Sequence, residues 1–505
     1  MIKRETKGIT LIALVITIVV LLILAGITIS LVFSENGIIA KAREAAEKTN
    51  QATINEQEQM NELAGYMSNM VNGIGGGSTP EEPVIPLPAD GSYSELMGVN
   101  TPNLGEGMTP IRWDETANDG AGAWVETESN NQWYDYSAKK WANAVIGGSF
   151  NEDGALDTSA TGYSMFVWIP RYAYSITSGY HQSGANLNST TPAEEAGTIE
   201  VELMKGTSNE SASGRTSFNN VSGQGNWNIH PAFTYGSTVS GIWVAKFEAS
   251  HTGCTTDVST GQTNTNSTSL TLQVKPGVTS WRNIQIGNIY TVCLNYNSAL
   301  NSHLMKNDEW GAVAYLSKSE YGKETEEVWI NNSSSFITGS AGNSASASSD
   351  TGTTNDYTST QGVKASTTGN VYGVYDMSGG SLEYVAAYVN NGNGNLTTYG
   401  SSLVNGDAKT KNVYSKASST DTQHDNYVTN ANKYGDAVYE TSSDSAIPWN
   451  LSWYADYSNF PITSTPFFRR GGSFSRTTDA GVFYFDSNFG NYDSNYSFRP
   501  VLVAL

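Results

Sequence analysis

Basic residues are scarce in this 505-residue chain: Lys and Arg number 27 against 48 Asp and Glu, for a formal charge of -21. A surface of that sign repels phosphate backbones and excludes nucleic acid as a partner. Charged residues of either sign make up only 15%. Gly, Ser, Thr and Asn take their place, a mixture that suits a loop-rich exported chain. Only two cysteines occur, Cys254 and Cys293. They permit one disulfide or two separate thiols, and they exclude a disulfide framework. His251 and Cys254 stand three apart in "HTGC" with no second ligand pair nearby, whereas structural zinc takes four ligands, so no metal site is read. Loop oxygens are able to hold Ca2+ in many folds, but no contiguous motif here provides them, and no cofactor is assigned. The run "GIGGG" lacks a following Gly-Lys-Ser/Thr, which excludes a phosphate loop. No Ser/His/Asp order and no paired carboxylates mark a catalytic centre.

Apolar residues are concentrated at the N-terminus. "MIKRETKG" (1–8) is basic, and "ITLIALVITIVVLLILAGITISLVF" (9–33) carries no charge. As a helix, 9–33 rises about 37 Å against a hydrocarbon core of about 30 Å, so the expectation is a transmembrane helix. The basic flank places the remainder outside. A signal peptide has a shorter apolar region and an A-x-A-like site, neither of which is present. The motif "KGITLIALV" resembles the processing site of type IV prepilins and pseudopilins. That resemblance implies cleavage by a prepilin peptidase between Gly8 and Ile9, methylation of the Ile9 amine, and pilus or secretion assembly machinery as partners. Ala13 stands where pilins usually carry a glutamate, which argues against efficient polymerisation.

A 3–4 spacing of apolar residues from Ile39 to Met70 predicts a helical stalk over 34–72. Segment 73–91, "GIGGGSTPEEPVIPLPADG", reads as a Gly/Pro linker. Residues 92–163 read as a small accessory element, and 331–362, rich in Ser, Asn, Gly and Thr, as a solvated low-complexity insertion. "SMFVWIPRYAYSI" and "SGIWVAKFEAS" predict strands. "NSALNSHLMKNDEWGAVAYLSKSEYG" predicts a helix with Leu304, Trp310, Val313 and Leu316 as its apolar positions. The fold class expected is α+β: a long N-terminal transmembrane and stalk helix, then a domain of short strands and long loops.

Six segments in order, "GIWVAKFEAS", "GVTSWRNI", "HLMKNDEWGAVAYLS", "NVYGVYDMSGGSLEYV", "RRGGSF" and "SFRPVL", give 164–505 a sharper likeness. The set resembles the formylglycine-generating-enzyme-like (sulfatase-modifying factor) branch of the C-type lectin fold. Gly380, Leu382 and Tyr384 depart from its "G-N-V-W-E-W" pattern, and only Glu383 is kept. The family's oxidising members use a cysteine pair near the C-terminus, and no cysteine follows Cys293 here. Thiol chemistry needs a thiolate, so the resemblance implies a fold without the enzymatic activity.

The stretch "FDSNFGNYDSNYSF" (485–498) uses a narrow alphabet of Asn, Tyr, Ser, Asp, Gly and Phe. With 471–505 as a whole it resembles the variable region of diversity-generating retroelement proteins, which implies a ligand-binding surface. The composition suits binding, because Tyr and Phe supply contact area at low entropy cost while Ser, Asn and Gly supply adaptable hydrogen bonds. The contact set expected is Ser473, Ser475, Arg476, Tyr484, Asp486, Asn488, Asn491, Tyr492, Asp493, Asn495 and Tyr496, with alternate residues facing the ligand if extended. The function expected is that of a membrane-anchored or pilus-associated protein, displayed at the cell surface and binding an extracellular protein or glycan. The alternatives are a minor pilin or pseudopilin with a structural role at a fibre tip, and a formylglycine-generating-type oxidase.

Overall fold

Runs of Val, Ile, Phe and Trp without polar alternation form strands whose two faces are both covered. The computed structural model describes residues 88–505 apart from 129–131, 182–195, 255–264, 351–353, 419–421 and 444–449. Within it, Ser164–Pro170 and Gly241–Ala245 are such runs, buried at every position. They pair antiparallel from Gly241↔Pro170 to Ala245↔Phe166 at the centre of a seven-stranded sheet. Its order is His303–Leu304, Pro500–Leu502, Gly241–Ala245, Ser164–Pro170, Asn143–Ile146, Met108–Asp114, Ala123–Glu126.

A second, mixed sheet runs Asn412–Ser415, Leu382–Asn390, Phe467–Gly471, Gly481–Asn488, Tyr457–Ser458, Asn450–Leu451, with Tyr496–Ser497 added parallel to Leu382–Asn390. Tyr172–Ser178 continues from the first sheet after Arg171 but pairs elsewhere, with Thr198–Leu203 and Asn228–Ile229. The longest helices among the described residues are Ile286–Tyr296 and Asn307–Lys318. The second of these carries Trp310, Val313 and Leu316 into the core as expected, while Leu304 lies in a strand before it.

Three expectations are corrected. The described protein is mostly strands with few helices, so the α+β assignment with a long leading helix and a lectin-like domain is replaced by a strand-dominated domain. Among the described residues no helix is long and apolar enough to cross a membrane, and the membrane anchor with its cell-surface or pilus location is withdrawn on that finding. The segments behind those readings (the 1–8 leader with Gly8 and Ile9, the 9–33 helix, the 34–72 stalk and most of the linker) lie outside the described residues. Residues 92–163 are no accessory: they supply three of the seven strands of the first sheet and belong to the unit Ile85–Leu505. Lys246 ties them in, its buried Nζ donating to Asn143 Oδ1 at 2.8 Å and to the carbonyls of Val371 and Gly373.

The low-complexity run departs from expectation for a related reason. Asn331, Ser333, Thr338 and Ala341 are buried, because short polar side chains bond inward as readily as outward. Asn331 Nδ2 donates to Asp376 Oδ1 at 2.8 Å, and the Gly339 amide donates to the same carboxylate. This loop closes over a buried acidic cluster where the segments "WVAKFE", "YDMSGGSLEY" and "SFRP" meet. Arg499 Nε donates to Glu383 Oε2 at 2.8 Å, and Arg499 Nη2 binds the other oxygen. The Ser381 amide donates to Glu248 Oε1 at 2.6 Å. Burial, then the neighbouring Asp376 and Glu383, push Glu248 well above the ordinary carboxylate range. One arginine thus faces three buried acids, and burial beside two other acids favours the neutral form of Glu248.

A second buried acid makes a test by pH. Glu440 Oε2 accepts from Tyr174, Tyr315 and the Gly435 amide at 2.7, 3.0 and 2.6 Å. Burial still dominates and raises its pKa from 4.5 to about 7. A carboxylate raised by folding contributes stability that is full below its unfolded pKa and is lost as pH rises through the folded value. Chemical denaturation between pH 4.5 and 8 is therefore expected to show stability falling across this window, on the order of 3 kcal/mol of it from Glu440. Glu440→Gln should remove that share of the slope.

Candidate functional site

Strand Gly481–Asn488 alternates Phe483 and Phe485 with Tyr484, Asp486 and Asn488, a period of two that sends the two sets to opposite faces. Phe483 packs on Trp453 and Phe485 on Phe468. Tyr484, Asp486 and Asn488 are also buried, because the opposite face is covered by a polar-aromatic network rather than by solvent. The register places Arg469 directly across from Asp486. Arg469 Nε and Nη2 donate to the two Asp486 oxygens at 2.8 and 2.6 Å, and the Tyr484 hydroxyl donates to Oδ2 at 2.6 Å. Burial opposes the charge on Arg469, but Asp486 outweighs it and holds the guanidinium protonated above its usual range. The guanidinium lies 4.3 Å from the centre of the Tyr496 ring. Tyr384 meets that ring edge-on and donates to Asn488 Oδ1 at 2.5 Å and to the Asn491 carbonyl at 2.8 Å.

Four members of the expected contact set are therefore framework: Tyr484, Asp486, Asn488 and the buried Ser473. The exposed surface begins one residue later. Phe489 and Tyr492 are 45% and 51% exposed, among the largest apolar exposures in the described protein. Asn491, Asp493, Asn495 and Tyr496 are half-buried around them. Ser475 and Arg476 are exposed on the neighbouring loop, with the Arg476 guanidinium 5.8 Å from the Tyr457 ring. The expected contact set leaves out Phe489, and the sequence gives no sign that Arg469 and Tyr384 support this surface. The alternation of Phe483 and Phe485 with polar residues was the available signal that a covered strand runs to Asn488.

The loop 489–496 is held largely through its backbone while the Phe489 and Tyr492 rings stay exposed. The amides of Ile286, Asn283 and Leu382 donate to the carbonyls of Gly490, Asp493 and Asn495 at 3.1, 2.8 and 2.9 Å. Arg282 Nη1 donates to the Ser494 carbonyl. Asp493 Oδ1 accepts from both nitrogens of Asn495 at 2.9 and 3.0 Å. Gly490 has φ +96°, and a Cβ there would lie 2.6 Å from the Phe467 ring, so the entry to the loop requires glycine. Asn491 Oδ1 and Arg469 Nη1 lack hydrogen-bond partners at its base.

The chemistry expected of an oxidising relative has little to work with. Cys254 and Cys293 are both free and buried, and burial pushes Cys254 up to about 11 and Cys293 well above its ordinary value. His181, isolated in sequence, stacks on Tyr439 with ring centres 3.8 Å apart. Among the described residues no group of three or more His, Cys, Asp or Glu is arranged to hold a metal ion. No protein-family model and no curated protein matches this chain.

Proposed function

We propose that this chain is a non-catalytic binding protein, a strand-dominated domain whose loop 489–496 engages a protein ligand. The observation that carries the reading is the pairing of a backbone-bonded loop with two large exposed rings, Phe489 and Tyr492. A loop already held in place loses little entropy on association, so more of the contact energy appears as affinity. Aromatic rings anchor such surfaces, while Asn, Asp and Ser adapt to the partner's polar groups. The convergence of three resemblance-bearing segments on the Glu383–Arg499 pair supports the family likeness. Two buried, protonated thiols support a role without thiolate chemistry.

Panning the full chain against a displayed library of protein fragments tests this reading. Enriched binders are expected to concentrate on the loop, and Phe489→Ala or Tyr492→Ala should weaken them by about tenfold or more, about 1.4 kcal/mol each. The same variants should leave stability within about 0.5 kcal/mol, since neither ring is part of the core. Binders that ignore both substitutions would refute the assignment, as would a glycan screen in which only saccharides depend on Tyr492.

A further inference from the structure

Two sizeable cavities lie away from the C-terminal loop, on the edge of the first sheet, and they share one residue. A cavity of about 540 Å3 is lined by Trp113, Trp124 and Tyr357 with Asp153, Asp157 and Asp356. A second, of about 490 Å3, is lined by Trp113, Trp133, Tyr134 and Tyr372 with Arg112, Lys140 and Asp135. Trp113 is half-buried between them, on strand Met108–Asp114 beside the edge strand Ala123–Glu126. Its ring is held in place: Trp124 meets it edge-on at 5.6 Å. Gly122 has φ +80°, and a Cβ there would fall 2.4 Å from the indole.

The polar groups of the first cavity are of one kind. Its charged residues are three aspartates and no cation. Each aspartate spends Oδ1 on its own turn: Asp157 accepts from Ser159, Asp356 from Thr358 and Asp153 from Ala155. The other oxygen of each has no hydrogen bond among the described residues. The second cavity also contains a buried donor without a partner, the Tyr134 hydroxyl.

We propose that Trp113 is the shared shelf of a two-subsite oligosaccharide groove. A pyranose bearing hydroxyl or amino groups occupies the aspartate cavity, and the next sugar lies on the Arg112 and Lys140 side. The chemistry matches group by group. Carboxylates accept sugar hydroxyl or ammonium protons, a phenol donates to sugar oxygens, and an aromatic face packs on the ring's C–H face. Concave, largely apolar walls with a few convergent polar groups are the ordinary form of a small-ligand site. A basic or neutral sugar is favoured in the first subsite by its charge, and a neutral one in the second, where Arg112 is paired with Asp114 and Asp135 accompanies Lys140.

Fluorescence polarisation with labelled chitotetraose, cellotetraose and a tetrameric uronate, titrated into the full chain, tests the proposal. At least one tetramer is expected to bind below about 10 mM, with Trp113→Ala weakening it about tenfold or more. Asp157→Asn and Asp356→Asn preserve the turn acceptor while removing charge, and each should weaken chitotetraose severalfold at an unchanged unfolding midpoint. They keep the test decisive if Trp113→Ala does not fold. Tyr492→Ala should leave saccharide binding within about twofold, which separates this groove from the C-terminal loop. Failure of all three probes to bind, binding unaffected by all three groove variants, or binding lost in Tyr492→Ala alone would overturn it.

Discussion

Replacing Glu383 by alanine is expected to destabilise the domain by about 3–5 kcal/mol, the loss typical of removing one partner from a buried ion pair. Glu383 and Arg499 are both fully buried, so alanine would leave the guanidinium without its bidentate acceptor in a site water does not reach. Arg499 also donates to the carbonyls of Ala245 and Tyr375, which fasten the start of the last strand against Gly241–Ala245 and the Asp376 loop. Losing its anchor loosens three segments together. The two remaining acids do not substitute for Glu383, since Asp376 is committed to Asn331 and Gly339, and Glu248 accepts from the Ser381 amide. Glu383→Gln should cost less than alanine, because the amide oxygen still accepts from one nitrogen. Urea unfolding of the three proteins checks the ranking; equal stability of wild type and Glu383→Ala would contradict the arrangement.

Asp486→Ala is expected to be nearly as damaging, about 3–5 kcal/mol, although the residue lies in a stretch whose composition reads as a binding surface. Asp486 accepts two bonds from Arg469 and one from Tyr484, and all three residues are buried. Without it, a protonated arginine remains under Tyr496 with no counter-charge, and the network reaching Tyr384 and Asn488 loses its base. The double variant Asp486→Ala/Arg469→Met should recover part of the loss, since it removes the stranded charge as well. Tyr492→Ala, six residues further on, should change stability within about 0.5 kcal/mol. If Asp486→Ala proved as mild as Tyr492→Ala, the division between framework and contact residues would fail.

Much of the sheet architecture is legible in the sequence because apolar runs announce doubly covered strands, as in Ser164–Pro170 and Gly241–Ala245. Helix Asn307–Lys318 is legible from its apolar spacing. Helix Ile286–Tyr296 is not: its Ile, Val, Thr and Tyr residues favour strands intrinsically, and packing of Ile286, Ile289, Tyr290 and Cys293 overrides that preference. Composition misleads over 331–362, where Ser and Asn side chains bond the interior, and over 92–163, whose strands join the central sheet where Asn143–Ile146 pairs with Ser164–Pro170. At the site, composition points to the correct end of the chain and register decides which residues remain exposed. Arg469 lies 17 positions from Asp486, so no local pattern reveals that it covers the strand.

A complete substitution scan of 471–505, read by resistance of the folded chain to protease, tests the central division most directly. Tolerance is expected at Ser475, Arg476, Phe489, Tyr492, Asp493 and Asn495, and intolerance at Tyr484, Asp486, Asn488 and Arg499. Intolerance running unbroken through 489–495, or free substitution at 484–488, would contradict it.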